Sequence, residues 1–129
     1  MKTFTKIVTV NKEDLDDLNH VNNVRYIDWV NSIAKAHWIH KTSTKIQDNY
    51  FWILIAHTIT YKKPAFINDE LLLKTYIINA EGVTSTRIVD IYNNTTQTLL
   101  AQSKTKWCFM NSQTKKPARI PSEISNLFS

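Results

Sequence analysis

Residues 14–29 of this chain read Asp-Leu-Asp-Asp-Leu-Asn-His-Val-Asn-Asn-Val-Arg-Tyr-Ile-Asp-Trp, and they guide the interpretation of the whole sequence. From the middle of this stretch onward, apolar residues recur every three or four positions: Val24, Ile27, Val30, Ala34 and Trp38. This spacing predicts an amphipathic helix with a broad apolar stripe. Asn22 or Asn23 is a suitable N-cap, and we expect the helix to run to about His40.

Five runs rich in β-branched and aromatic residues predict strands, one before the helix and four after it. These runs are Phe4–Val10, Phe51–Tyr61, Leu71–Asn79, Ser85–Tyr92 and Leu99–Met110. Short links at Glu81-Gly82 and Asn93-Asn94 predict antiparallel pairing of the later strands. A polar stretch, Lys41–Asn49, follows the helix, and Ser122 is expected to cap a short helix near the end of the chain.

One long helix with a wide apolar face must bury that face against the sheet. We therefore expect an α+β fold in which a curved antiparallel sheet wraps around one long central α-helix. The sequence has no internal repeat or linker, so residues 1–129 are expected to form one domain. Such a sheet has open edge strands, which predicts pairing with a second copy of the chain.

The composition excludes several classes of function. The chain has one glycine, Gly82, whereas glycine-rich phosphate loops need at least two. One cysteine, Cys108, cannot form an internal disulfide, and the first residues lack the apolar core of a signal peptide. No apolar run approaches the roughly eighteen residues of a membrane span. We expect a cytoplasmic protein with no membrane partner.

The net charge of +5 admits two interpretations. A basic surface attracts phosphate groups, whether in a nucleic acid or in a phosphorylated small molecule. A solvated basic face without a ligand explains the same excess of lysine. Net charge alone does not indicate nucleic-acid binding, and we expect no nucleic-acid partner.

The helix start and the acidic residues before it suggest acyl-transfer chemistry. The first turn of a helix has unpaired backbone N–H groups and a positive dipole end, which together can stabilise an oxyanion. Asp16 lies just upstream, so its carboxylate and those N–H groups could converge on one carbonyl. In the alternative interpretation, these acids and asparagines only cap the helix and His20 only packs.

The same stretch resembles a family signature. It is similar to the motif D-x-D-x-x-G-H-V-N-N-x-x-Y of hot-dog-fold thioesterases of the 4-hydroxybenzoyl-CoA thioesterase-like group. The matching residues are Asp14, Asp16, His20, Val21, Asn22, Asn23 and Tyr26. Leu15, Val24, Ile27 and Trp29 also match the corresponding stretch of plant acyl-carrier-protein thioesterases. The segment 61–65 resembles the Tyr-x-x-Pro-Ala element of bacterial members.

The resemblance implies a thioesterase that acts on acyl-CoA or an acyl-carrier protein, with no cofactor and no metal. It implies catalytic roles for Asp16, His20 and Asn23, with Asp16 as nucleophile or general base. It also implies a substrate-binding set comprising Asn19, Asn22, Val24, Tyr26, Lys62 and Lys63. The family's active site lies at a dimer interface, so a homodimer or homotetramer is expected.

Three departures separate this chain from its relatives. Asn19 stands where bacterial members carry glycine, which asparagine can replace if the backbone is left-handed. Leu18 replaces the plant enzymes' catalytic asparagine, while Pro64 and Ala65 replace their Glu-Cys pair. The pattern favours a bacterial-type acyl-CoA thioesterase. The alternative is a hot-dog protein that binds acyl-CoA or acyl-carrier protein without hydrolysis. A hot-dog hydratase is disfavoured, because its Gly-Asp-x-Asn-Pro context is absent.

Overall fold

The computed structural model describes residues 2–129. Five strands form one antiparallel sheet in the order β1-β3-β4-β5-β2. The strands are β1 (Phe4–Thr9), β2 (Tyr50–Tyr61), β3 (Glu70–Glu81), β4 (Thr84–Asn93) and β5 (Leu99–Asn111). The helices are α1 (Asn23–Lys41), α2 (Thr44–Asn49) and α3 (Ser122–Ser125), with a short 3-10 turn at Lys12–Asp14. The predicted order of one strand, one long helix and four strands is confirmed.

The structure adds to or corrects the sequence-based description at three places. The polar stretch after α1 contains a second helix, α2, whose N-cap Ser43 accepts a hydrogen bond from the N–H of Ile46. The N-cap of α3 is Pro121, and Ser122 is its first residue. The turn after β4 is longer than a two-residue hairpin, since the Asn93 carboxamide accepts from the N–H groups of Thr95 and Thr96 before β5 begins.

The buried face of α1 is rotated from the predicted stripe. Tyr26, Val30, Ile33, Ala34 and His37 face the sheet. Val24 is 63% exposed and Ile27 is also exposed, although both belong to the predicted stripe. The periodicity correctly predicts a helix, but the sheet covers a face that includes a histidine. An apolar strip of α1 therefore faces solvent in the single chain.

The space between α1 and the sheet holds two apolar clusters separated by polar side chains. One cluster surrounds Val30, Leu73 and Ile91, and the other surrounds Phe109 and Phe128. Between them lie buried polar residues from three strands and α1: Thr75, Arg87, Ser103, Thr105 and His37. Within residues 2–129, no helix combines the length and the apolar character that crossing a membrane requires.

Candidate active site

The segment between the 3-10 turn and α1 forms a tight hairpin that presents Asp16. Leu15 pairs with Val21 in an antiparallel bridge, and the N–H of Asp16 donates to the carbonyl of His20 over 2.7 Å. Asn19 closes the turn, with its N–H donating to the carbonyl of Asp16 and with φ at 61°. Asparagine thus occupies the left-handed conformation at the position where the motif that this stretch resembles has glycine.

The Asp16 carboxylate is held by backbone groups through one of its oxygens. Oδ1 accepts from the N–H of Leu18 at 2.9 Å and from the N–H of His20 at 3.1 Å. Oδ2 has no hydrogen-bond partner among residues 2–129. The side chain is half-buried. One oxygen therefore fixes the carboxylate in place, and the other remains available to a substrate or a water molecule.

Asp14, two positions earlier, has a structural role. Its buried carboxylate accepts from the backbone N–H of Asn11 through Oδ2 and forms an ion pair with Arg25 Nε at 2.9 Å through Oδ1. The four neighbouring acidic residues, Glu13, Asp14, Asp16 and Asp17, therefore lie in different environments. Asp14 ties the 3-10 turn to α1, while Glu13 and Asp17 are exposed. Asp16 is the half-buried acidic residue of the hairpin that precedes α1.

The start of α1 offers one free backbone donor. The carboxamide oxygen of the N-cap Asn22 accepts from the N–H of Val24, and the Asn22 N–H donates to the carbonyl of Asp14. The N–H of Asn23 has no partner among residues 2–129. The expectation of oxyanion donors at the helix start therefore narrows to the N–H of Asn23, because the N–H groups of Asn22 and Val24 are engaged within the chain.

A cleft of about 250 Å³ lies in front of these groups. It brings together six of the sequence-predicted residues: Asp16, His20, Asn23, Tyr26, Lys62 and Lys63. Val21, Tyr61 and Pro64 also line it, and sequence reasoning did not single them out as site residues. Asn19, Asn22 and Val24 lie outside its lining. Asn19 shapes the hairpin and Asn22 caps the helix.

Backbone hydrogen bonds hold the segment 62–65 between the Asp16 hairpin and β5. The carbonyl of Ala65 accepts from the N–H of Val21, and the N–H groups of Lys62 and Lys63 donate to the carbonyl of Leu100. These bonds place two exposed lysines on the rim of the cleft. A positive rim beside a carboxylate suits a substrate that carries phosphate groups at one end.

His20 and Tyr26 differ in how deeply their side chains are buried. His20 is half-buried, and its ring packs edge-on against Phe66 with the centroids 5.4 Å apart. Tyr26 is buried, packing edge-on against Trp29 and Tyr61. Tyr26 therefore forms the floor of the cleft, and His20 forms part of its wall.

The left-handed turn at Asn19 predicts a specific pattern of stability. We expect Asn19→Gly to leave the free energy of unfolding within about 0.5 kcal/mol of the wild-type value and Asn19→Ala to lower it by about 1 kcal/mol. Urea titration measures both. Asn126→Ala is the control, since Asn126 has φ of −68°. If Asn19→Ala costs no more than Asn126→Ala, the left-handed conformation is not what selects asparagine.

A larger cavity of about 630 Å³ opens on the other half of α1. Its walls are mostly aromatic and apolar, and Arg87 and Ser85 of β4 also line it. Sequence reasoning missed this cavity, since the residues that form it are spread over α1, α2, four strands and the chain end. Among residues 2–129, no group of three or more histidine, cysteine or acidic side chains is placed to hold a metal ion.

Comparison with known proteins gives a consistent assignment. The model of the thioesterase-like superfamily matches residues 10–128. No curated protein sequence matches the chain. A mutant 4-hydroxybenzoyl-CoA thioesterase complexed with 4-hydroxybenzoyl-CoA superimposes with a TM-score of 0.89 at 13% identity, covering 100% of both chains.

Two further structures show the same fold. Slr0204, a 1,4-dihydroxy-2-naphthoyl-CoA thioesterase from Synechocystis, has a TM-score of 0.83 and 19% identity, covering 98% of this chain and 95% of its own. SAV2348 from Staphylococcus aureus, in complex with CoA, also has a TM-score of 0.83 and 19% identity, covering 98% of this chain and 81% of its own. At these identities the likeness establishes the fold, so the expected hot-dog architecture is confirmed.

Proposed function

Because the chain belongs to the thioesterase-like superfamily, we propose that it hydrolyses an acyl-CoA thioester to the free acid and CoA. The observation that carries this proposal is the pairing of two unengaged groups at one cleft. Asp16 Oδ2 and the N–H of Asn23 have no partners among the described residues 2–129, and both residues line the cleft. A carboxylate and an oxyanion donor are what thioester hydrolysis requires.

In the proposed reaction, the thioester carbonyl accepts a hydrogen bond from the N–H of Asn23 at the positive end of α1. Asp16 then acts in one of two ways. As a nucleophile, it attacks the carbonyl carbon, CoA leaves as a thiolate, and water hydrolyses the mixed anhydride. As a general base, it takes a proton from water while the water oxygen attacks, and that proton passes to the departing thiolate. His20 and the side chain of Asn23 position the water and the substrate.

The rim lysines and the exposed start of α1 are assigned to the two ends of the substrate. Lys62 and Lys63 attract the phosphates of CoA by charge, without a bond of fixed geometry. Val24 and Ile27 offer an exposed apolar strip to the acyl chain. Tyr26 supports the cleft from below, while Asn19 and Asn22 hold the hairpin and the helix start in position.

The proposed functional unit is a homodimer, which could itself pair into a tetramer. Strand β2 is an edge strand of twelve residues, and its middle carries the exposed apolar side chains of Ile53, Leu54 and Ile55. A long exposed apolar edge promotes pairing with another strand. A second copy placed there would also cover the apolar strip of α1. The whole chain acts as one domain, and free, half-exposed Cys108 fits a reducing cytoplasm.

We expect the purified protein to release CoA thiol from acyl-CoA esters at a steady rate, measured with a thiol-reactive chromophore. A panel of aliphatic and aromatic acyl-CoAs defines the preferred class, and the same acyl groups on a carrier protein test the alternative donor. The competing function is acyl-CoA binding without hydrolysis. Saturable binding by calorimetry with no thiol release above the uncatalysed rate would establish that alternative and overturn the proposal.

A further inference from the structure

The larger cavity lies beyond the exposed end of the apolar strip on α1. Val24 and Ile27 lie on the same side of the helix as Asn31, Ala34 and Trp38, at successive steps of three or four residues. Asn31, Ala34 and Trp38 line the cavity, whereas Val24 adjoins the proposed oxyanion donor. A continuous strip of helix surface therefore leads from the reacting carbonyl into the cavity. Its volume of about 630 Å³ is in the usual range for small-molecule pockets.

Arg87 puts a positive charge into this apolar cavity without a counter-ion. Its side chain lines the cavity and is 6% exposed. Its Nη1 lies 2.9 Å from His37 Nδ1 and donates to Thr75 Oγ1, also at 2.9 Å. No carboxylate among residues 2–129 lies within 4 Å of it. Burying a charge without an ionic partner is costly, so this residue is poorly explained by stability alone.

The two partners of Arg87 do not neutralise it. Burial, reinforced by the charge of Arg87, lowers the pKa of His37 to about 4, so the imidazole is neutral near pH 7. Burial also lowers the pKa of Arg87 to about 10, which still leaves the guanidinium protonated at that pH. Thr75 contributes only a hydroxyl, which donates to the carbonyl of Ile88. A full positive charge therefore remains beside the cavity.

Ser85 adds a second polar group on the same wall. It lies two residues before Arg87 on β4, so both side chains are on the face of the sheet toward α1. Ser85 is buried, lines the cavity, and its hydroxyl makes no hydrogen bond within residues 2–129. A guanidinium and a hydroxyl side by side form a suitable site for a carboxylate.

We propose that the cavity binds acyl groups that end in a carboxylate, with Arg87 and Ser85 holding that carboxylate. This inference rests on the proposed function, since it names the substrate class of the thioesterase site. The rise of an α-helix, 1.5 Å per residue, places Val24 and His37, the helical neighbour of Arg87, about 20 Å apart along the axis. The preferred substrates are therefore CoA thioesters of long dicarboxylic acids.

The first test compares kcat/KM for hexadecanedioyl-CoA and hexadecanoyl-CoA, with decanedioyl-CoA and decanoyl-CoA as a shorter pair. We expect the wild type to favour the long dicarboxylic substrate at least tenfold, and Arg87→Met to remove that preference while keeping hydrolysis of hexadecanoyl-CoA. Lys104→Met is the control for loss of one positive charge, because Lys104 is exposed on β5 away from the cavity. Equal rates for both substrates in the wild type, or a preference that survives in Arg87→Met, would overturn the proposal.

Two further measurements test the proposal even if Arg87→Met does not fold or the protein hydrolyses no acyl-CoA. A similar-sized apolar residue often replaces a buried charge without loss of stability, so Arg87→Met is expected to fold. If it does not, Ser85→Ala provides the readout, with the preference expected to fall at least threefold; an unchanged preference in that variant would count against the proposal.

The last experiment measures binding and does not depend on catalysis. Calorimetry compares decanoate with decan-1-ol, and we expect decanoate to bind at least tenfold more tightly, with the difference abolished in Arg87→Met. If decanoate binds more tightly in this way but the protein hydrolyses no acyl-CoA, the carboxylate site is supported and the proposed function is rejected. Equal binding of the acid and the alcohol would reject the site itself. Decanoate binding through Arg87 without any preference for dicarboxylic thioesters would identify a site for the free product acid, which contradicts the proposed substrate class.

Discussion

Replacing Asp16 with asparagine is expected to lower kcat/KM for acyl-CoA hydrolysis by about 10²–10⁴-fold, the range that loss of a general base produces. The variant retains the local fold, because an asparagine oxygen can still accept from the N–H groups of Leu18 and His20. Its amide, however, neither attacks a carbonyl nor takes a proton from water. Steady-state thiol release and calorimetric binding of the same acyl-CoA, measured on one preparation, separate catalysis from affinity.

Asp17→Asn is the matched control for this experiment. Asp17 is the adjacent acid, is exposed, and does not line the cleft. The control should keep kcat/KM within about twofold of wild type, and both variants should bind acyl-CoA and melt near the wild-type temperature. If Asp16→Asn hydrolyses as fast as Asp17→Asn, Asp16 is not the reacting group.

The second large effect is expected at the edge strand. Ile55→Lys places a charge in the middle of β2, on a side chain that is 52% exposed at a β-bulge. Lysine on an edge strand opposes pairing with another strand. We expect the dimer dissociation constant to rise at least 100-fold and kcat/KM to fall at least tenfold at concentrations where the variant is monomeric. Analytical ultracentrifugation and thiol release, measured over one concentration series, report both quantities.

Ile78→Lys provides a closely matched control. Ile78 is 49% exposed and also lies at a β-bulge, but in β3, which lies between β1 and β4 in the sheet order and is not an edge strand. This variant should remain dimeric and active. A monomeric wild type with full activity would contradict the proposal that a second copy completes the site, and so would an Ile55→Lys monomer that keeps its activity.

Local sequence patterns were sufficient for the order of strands and long helix and for the position of Asp16 just before that helix. Alternation and helical spacing report which backbone a segment adopts, and they correctly predicted one long helix among five strands. A left-handed backbone at Asn19 was expected as the condition under which asparagine can replace glycine there, and the structure has that conformation. Few residue types tolerate it. These features depend on residues close together in the chain.

Long-range contacts account for what the sequence did not reveal. Which face of α1 is buried depends on how the sheet packs against the helix, so Val24 and Ile27 were assigned to the covered face and His37 was not. Arg87 reads as a surface charge within a strand, and only the packing of β4 against α1 shows it beside His37. The hydrogen bond from the Val24 N–H to the Asn22 side chain was likewise visible only in the structure.

The central claim is that the Asp16 carboxylate, beside the start of α1, cleaves an acyl-CoA thioester. The most direct test incubates wild type and Asp16→Asn with the same acyl-CoA and quantifies acid, CoA and intact thioester by mass spectrometry. We predict equimolar acid and CoA from many turnovers of the wild type, and intact, bound acyl-CoA from the variant. Intact acyl-CoA recovered from the wild type, or equal product from both proteins, would contradict the claim.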